Sequence, residues 1–178
     1  MLNFLCKKCG RQHNVSMSYT FRAPHYYNLL TEEQQARNTL LEGDTCTISH
    51  PQAQHTDYFV RVTLTVPVKD RNTAFTWDIW TAIDHGDFFN YKQYISNFSA
   101  PEPPRYKGWI ANMLPDYPGT CGLKGDIIPG TSPGQLNKFE PYETDHPLYV
   151  HFHEGIPMRE AVSVAGTMCH EEAPAQDM

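Results

Sequence analysis

Residues 57–68 read Asp57-Tyr58-Phe59-Val60-Arg61-Val62-Thr63-Leu64-Thr65-Val66-Pro67-Val68, and the fold turns on them. Val60, Val62, Leu64, Val66 and Val68 take every second position, with Phe59, Arg61, Thr63 and Thr65 between them. Successive side chains of a strand point to opposite faces, so this period of two predicts a long strand with the valine face in the core. The polar turn Lys69-Asp70-Arg71-Asn72 follows, and then Ala74-Phe75-Thr76-Trp77-Asp78-Ile79-Trp80, again β-branched and aromatic. The two runs predict an antiparallel hairpin. Val62 is expected to face inward and Thr63 outward. Arg61, on the outward face, either clamps an anionic ligand or pairs with Asp78 across the hairpin, and the pairing is the expectation.

On either side of the hairpin the punctuation is helical. Thr31-Glu32-Glu33-Gln34 is a capping box with two acids in the first turn, which predicts a short helix to about Leu41, stopped by Gly43. Asp87 is expected to cap a second helix, whose stripe Phe88, Tyr91, Ile95 and Phe98 ends at Pro101-Glu102-Pro103-Pro104. Tyr106 to Ile110 reads as a strand, and the Gly/Pro-rich stretch from Leu114 to Gly134 as a long loop. Lys138 to Glu143 and Pro147 to His153 read as two more strands, the second because Leu148, Val150 and Phe152 alternate with Tyr149, His151 and His153. Met158 to Met168 is a last helix. The fold class is therefore α+β, a mainly antiparallel sheet flanked by two or three helices, with an N-terminal zinc-knuckle segment over residues 1–16. Residues 1–170 form one domain, and 171–178 a disordered tail.

At 178 residues the chain is long enough for one domain with its own core and needs no disulfide staples. A formal charge of −6 argues against nucleic acid or an anionic membrane as partner, since either would call for a basic stripe. No segment has the length of a signal sequence or a membrane span. The odd count of five cysteines, at Cys6, Cys9, Cys46, Cys121 and Cys169, is unlike a secreted disulfide framework. Free thiols and a metal site in the reducing cytoplasm are the expectation.

Cys6-Lys7-Lys8-Cys9-Gly10 carries the most chemistry. Two thiolates at this spacing, with a glycine that lets the chain turn sharply, grip one side of a tetrahedral zinc ion. His13 is close enough in sequence to be a third ligand, and Cys46 is a sulfur that a neighbouring strand could bring as the fourth. His50 and His25 are other completions. The competing readings of the motif are a redox-active thiol pair and an unoccupied surface turn. His151 and His153 share one face of their expected strand and read as exposed histidines rather than ligands. Asp145-His146 suggests a carboxylate orienting an imidazole, but adjacent residues rarely reach that geometry, and Asp145 is read as capping the turn amides. Cys121 has no base assigned to it. No phosphate loop, nucleophile elbow or His-Glu-x-x-His helix is present.

Taken in order, these motifs resemble one bacterial family, catalogued as domain of unknown function 2199. The resemblance is carried by Phe4-Leu5-Cys6-Lys7-Lys8-Cys9-Gly10 with His13, by Ala23-Pro24 and Tyr26-Tyr27, and by Asp44-Thr45-Cys46 followed by Tyr58-Phe59-Val60-Arg61. It continues through Val66-Pro67-Val68, Trp77, Trp80, Gly108-Trp109, Leu114-Pro115, Tyr117-Pro118, Thr144-Asp145-His146-Pro147-Leu148 and Gly155-Ile156. The resemblance implies that Cys6, Cys9, His13 and Cys46 belong to one pattern; it implies no activity. The sequence departs from the pattern at Tyr149 to His153. Two functions are expected from different classes: a non-enzymatic module that binds a protein partner, in its specific form an immunity protein neutralising a toxin, and a zinc-dependent hydrolase. Zinc is structural in the first and has an open coordination position in the second.

Overall fold

The computed structural model describes residues 2–5, 9–15, 17–98, 100 and 102–171. In chain order the elements are β1 (Leu2–Leu5), β2 (Gln12–Val15), β3 (Ser18–Thr20), α1 (His25–Asn28), α2 (Glu32–Asn38), β4 (Thr39–Glu42) and β5 (Thr45–His50). A 3-10 turn, Pro51–Ala53, leads into β6 (His55–Pro67), β7 (Ala74–Ile83), α3 (His85–Asn97) and β8 (Tyr106–Ile110). Then come β9 (Lys124–Ile128), β10 (Lys138–Pro141), α4 (Pro147–Glu154) and α5 (Met158–Glu171).

The expected hairpin is the spine of the molecule. β6 and β7 pair antiparallel from Tyr58↔Ile83 to Pro67↔Ala74. With 13 residues, β6 is long enough to serve two neighbours along its other edge. Its first half pairs with β5, from His50↔His55 to Thr45↔Val60. Its second half meets β10 in parallel at Lys138↔Thr63. Because β7, β8, β9 and β10 follow one another antiparallel, that last contact closes β6-β7-β8-β9-β10 into a small barrel. β3 extends β7 in parallel, and β5 and β4 continue the sheet beyond the barrel to an open edge at β4.

So tight a closure needs backbone to approach backbone. Gly108 and Gly125 stand opposite each other in the β8–β9 register. A Cβ on Gly125 would sit 2.4 Å from the Glu140 carbonyl oxygen and 2.5 Å from the Phe139 ring, so only glycine fits there. The seam itself is clasped by Asn137, which is 5% exposed. Its carbonyl accepts from Thr63 N (2.8 Å), and its side-chain amide donates to the Arg61 carbonyl (2.9 Å) and to Tyr91 Oη (3.0 Å) on α3.

The valine face fills the barrel, as its period predicts. Val60, Val62, Leu64 and Val66 are buried with Phe75, Trp77, Ile79, Ile127 and Phe139. Phe88 and Tyr91 of α3, Leu148 of α4, and Ala161, Val164 and Ala165 of α5 join the same core. Each fully buried Val, Leu, Ile or Phe side chain contributes roughly 1.5–3 kcal/mol. The other face of the hairpin is not simply solvated. Cys46, Ile48, Phe59, Trp80 and Ala111 form a second apolar cluster, covered by Phe21, Tyr27 and Leu30. Asn112 holds that cover down: its Oδ1 accepts from Trp80 N (2.7 Å) and its Nδ2 donates to the Ala23 carbonyl (3.0 Å).

Three expectations are corrected. Five α-helices stand among the described residues rather than two or three, one of them the four-residue α1. Pro147–Glu154 is a helix, not a strand: Pro147 stands at its first turn, His146 caps it, and the inward stripe is Leu148, His151 and Phe152 at helical spacing. The stretch from Leu114 to Gly134 is not one loop, because β9 lies within it and uses Gly125 as a packing residue. The capping box is present, with Thr31 Oγ1 accepting from Gln34 N (3.2 Å) and Gln34 Oε1 from Thr31 N (2.9 Å), though its helix gives way to β4 at Thr39. α5 runs to Glu171, and the remainder of the expected tail, residues 172–178, lies outside the described residues. No helix among the described residues is long and apolar enough to cross a membrane.

Candidate functional site

The N-terminal hairpin pairs Leu2↔Val15 through Leu5↔Gln12, with Cys9 and Gly10 in the turn between its strands. Gly10 adopts φ +69°, a left-handed conformation suited to glycine, and so reverses the chain between Cys9 and His13. Cys9 Sγ lies 3.1 Å from His13 Nε2. Zn–S and Zn–N bonds in a tetrahedral shell place their two donor atoms about 3.6 Å apart, so this pair fits one edge of a zinc site after a small rotation of either side chain. Cys6 lies outside the described residues.

Cys46 is not brought to that pair. It is wholly enclosed in β5, opposite Phe59 in register and packed with Ile48 and Trp80. Burial pushes its thiol up from the ordinary 9.0 to about 12, the opposite of what a metal thiolate requires. Among the described residues no group of three or more His, Cys, Asp or Glu side chains is placed to hold a metal ion. A prediction follows for Cys46. An unfolded chain loses this proton near pH 9.0 and the folded chain near 12, so stability is intact below the first value and falls as pH rises toward the second. Denaturant titrations of wild type and Cys46→Ala across that range should show the shallower alkaline decline in the variant. A thiol reagent on native protein at about pH 8 should reach Cys9 and spare Cys46.

The other candidates are placed as follows. His50 Nε2 and His55 Nε2 bind the two oxygens of Asp57 at 2.9 and 2.8 Å, with the imidazoles stacked at the tip of the β5–β6 hairpin. His25 opens α1 and its ring lies edge-on to Tyr26. Arg61 does not pair with Asp78. Its Nε donates to Asp44 (2.8 Å) and its guanidinium lies 6.0 Å over the Trp80 ring, because Trp80 is its register partner. Asp78 instead accepts from Thr63 (2.6 Å) and Thr20 (3.0 Å), tying β3 to the hairpin. The turn before α4 is capped by His146 rather than Asp145. His146 Nδ1 accepts from Leu148 N (3.1 Å) and its Nε2–H donates to the Pro118 carbonyl (2.9 Å), while Asp145 is exposed. Cys121 is half-buried, and burial raises its thiol too.

One polar network escapes any reading of spacing. Tyr117 Oη and His151 Nδ1 share a hydrogen bond (2.8 Å), and His151 Nε2 lies 3.2 Å from a Glu160 carboxylate oxygen. The three come from a loop, α4 and α5, and line a cleft of about 220 Å³ with Asp116, Pro147 and Ile156. Burial, and then the charges of Glu160 and Asp116, hold the Tyr117 phenol well above its ordinary range. It therefore keeps its proton at neutral pH. A second feature is aromatic. Tyr58, His85, Phe88 and Phe89 pack ring on ring at centroid distances of 4.8 to 6.0 Å around the start of α3, and Phe89 is 53% exposed. Asp84, exposed, and Asp87 flank it, where they also favour the positive end of the helix.

No curated protein and no solved structure matches the chain. One family model does, over residues 5–156, a span that takes in Cys6, Cys9, His13, the whole barrel and His151. The chain belongs to the family described as uncharacterised protein conserved in bacteria, DUF2199.

Proposed function

We propose that the protein is a non-enzymatic binding module of the bacterial cytoplasm that takes a basic protein partner, in its specific form an immunity protein that neutralises a toxin. The observation that supports this reading is the aromatic patch at the start of α3. An exposed phenylalanine backed by three packed rings and flanked by two carboxylates offers cation–π and charge contacts to lysine or arginine, and aromatic side chains of this kind dominate binding energy at interfaces. The net charge of −6 favours encounter with a basic partner. The test is affinity capture from the native host with wild type and Phe89→Ala, followed by co-expression of any captured protein to measure growth arrest. The expected result is a basic protein, toxic alone and harmless with the wild type, whose capture falls at least tenfold with Phe89→Ala. Equal capture by the variant, or a partner whose expression does not arrest growth, would overturn the proposal.

The N-terminal hairpin belongs to the same proposal as a zinc-ordered segment. Cys6, Cys9 and His13 supply the ligands, with the fourth donor from elsewhere than Cys46. Elemental analysis of untagged protein should give about one zinc per chain, lost in Cys6→Ser with Cys9→Ser and retained in full by Cys46→Ser. Because thiols must be deprotonated to bind, zinc should leave as the solution is acidified. Zinc held at full stoichiometry by the double serine variant would rule this assignment out. The hydrolase reading is favoured by one observation: Cys46 is enclosed away from the Cys9–His13 pair, so the fourth position expected of it is open to water. X-ray absorption separates the two, since four protein donors support the structural ion and three with one water oxygen support the hydrolase.

A further inference from the structure

The sheet is wider than the barrel, and its extra width, β5 and β4, is treated differently on its two faces. On one face Cys46 and Ile48 of β5 are roofed by Phe21, Tyr27 and Leu30. The other face can be followed strand by strand, because register partners point the same way. Val60 fills the barrel, and two residues before it on the same face of β6 stands Tyr58, half-buried. Tyr58 is opposite Thr47 of β5, and Thr47 is opposite Leu40 of β4, which is 54% exposed. α3 packs over β6 and β8, and its His85 and Phe89 meet the row at Tyr58. Beyond Tyr58 the row runs out toward solvent, with Thr47 half-buried and Leu40 at the open edge. What results is a shelf, walled by the start of α3 and floored by Tyr58, Thr47 and Leu40. Phe89, 53% exposed, and Leu40 are its two apolar grips. Its charges have one sign: Glu42, on the same face as Leu40, and Asp84 are exposed, and Asp87 is half-exposed. β4 and β5 contain no lysine or arginine, and the first cation on α3 is Lys92, a turn beyond Asp87 and Phe89.

We infer that this shelf seats an amphipathic helix of the protein partner, with an apolar stripe on Leu40, Tyr58 and Phe89 and lysine or arginine on its flanks, facing Glu42, Asp84 and Asp87. Dimensions select the element. Neighbouring strands lie about 4.8 Å apart, so the step from β6 out to β4 is about 10 Å. One helix is about 10–12 Å across with its side chains and fills that step. A strand added to the β4 edge would lie about 14 Å from β6 and leave Phe89 untouched. A helix laid on the shelf reaches both grips at once, and its stripe at i, i+3, i+4 and i+7 supplies residues to each. The basic flanks follow from the single sign of charge around the floor. This names the element that a partner brings to the aromatic patch, and it rests on the reading of the protein as a module for a basic partner.

The experiment uses the whole isotope-labelled chain and, as probe, a leucine–lysine peptide of about 14 residues, within the usual length of a helix, with its leucines on one helical face. Amide NMR should show saturable shifts centred on Leu40, Thr47, Tyr58 and Phe89. Affinity should fall at least tenfold in Leu40→Ser and in Phe89→Ala, both exposed positions where the fold is retained, and stay unchanged in Leu29→Ser, a leucine 67% exposed at the end of α1. The same peptide with glutamate for lysine should not bind. No saturable shift, shifts centred elsewhere, or equal affinity for Leu40→Ser overturns the inference. Tenfold tighter binding of a peptide of the same composition in strict alternation also overturns it, in favour of a strand on the β4 edge. Affinity capture judges the module separately. A partner lost with Phe89→Ala but held by Leu40→Ser would keep the module and sink the shelf, and a mapped peptide without any captured partner would do the reverse.

Discussion

Gly125→Val should abolish the closed barrel under conditions where wild type is fully folded. The Cβ alone would stand 2.4 Å from the Glu140 carbonyl oxygen, and a backbone atom has no rotamer by which to withdraw. Strands β9 and β10 would have to part along the ladder from Lys138↔Ile128 to Pro141↔Gly125, which undoes the neighbour of the closing seam as well. Overpacking in a core costs roughly 1–3 kcal/mol where side chains can shift. Here it should exceed that range, on the order of 4 kcal/mol, because backbone pairing is lost with it. Gly86→Ala is the control. Nothing lies within 4 Å of its added carbon, and in the first turn of α3 alanine should be neutral or stabilising by up to about 1 kcal/mol. Guanidinium denaturation of the three proteins decides the point. A Gly125→Val midpoint within error of wild type would mean that β9 and β10 are not packed in this way.

Val62→Asp is the second large effect. Val62 is 2% exposed, pairs with Ile79, and points into the barrel among Leu64, Trp77 and Phe139. A carboxylate there has no donor to meet it and should cost on the order of 3 kcal/mol or more, partly relieved by taking up a proton. Stability of the variant should therefore improve as pH is lowered toward the carboxyl range, the reverse of the usual acid destabilisation. The comparison is Thr65→Asp, exposed on the outer face and opposite Thr76, which should change stability by no more than about 0.5 kcal/mol. Thr63 does not serve as that control, although the alternation alone recommends it. A carboxylate at 63 would face Asp78, to which the native hydroxyl donates at 2.6 Å. Equal stability of Val62→Asp and Thr65→Asp would overturn the register.

How far the sequence could be read depended on whether each signal was local. The β6–β7 hairpin was legible because a period of two over so long a run has no helical counterpart. α4 was misread because its apolar residues at 148, 150 and 152 imitate alternation, while the proline and histidine caps that make it a helix lie at its edge. β9 was hidden by its glycines, which normally punctuate loops and here allow close packing. The parallel contact of β10 with β6 left no trace in either segment, since register between remote strands is set by the whole barrel. At the candidate sites the same rule held. Spacing pointed to Cys9 and His13 as neighbours, and they are. Spacing gave no warning that Cys46 is enclosed, because burial depends on a cover drawn from residues 21–30. Tyr117, His151 and Glu160 share no motif at all, and only the docking of α4 and α5 makes them neighbours.

The Asn137 clasp has a kinetic meaning. It joins residues 76 positions apart, to Arg61, whereas the β6–β7 hairpin forms from a nearby turn. Loop-closure entropy must be overcome before so distant a contact is rewarded, so the hairpin should form early and the seam late. Contacts made late contribute little to the folding transition state, and weakening them mainly accelerates unfolding. Asn137→Ala should accordingly leave the refolding limb of a chevron plot almost unmoved and raise the unfolding limb. In the native protein, the amide of Thr63, bonded across the seam, should then exchange with solvent sooner than the β6 and β7 amides bonded to each other within the hairpin, a breathing of the barrel along one line while the rest stays shut.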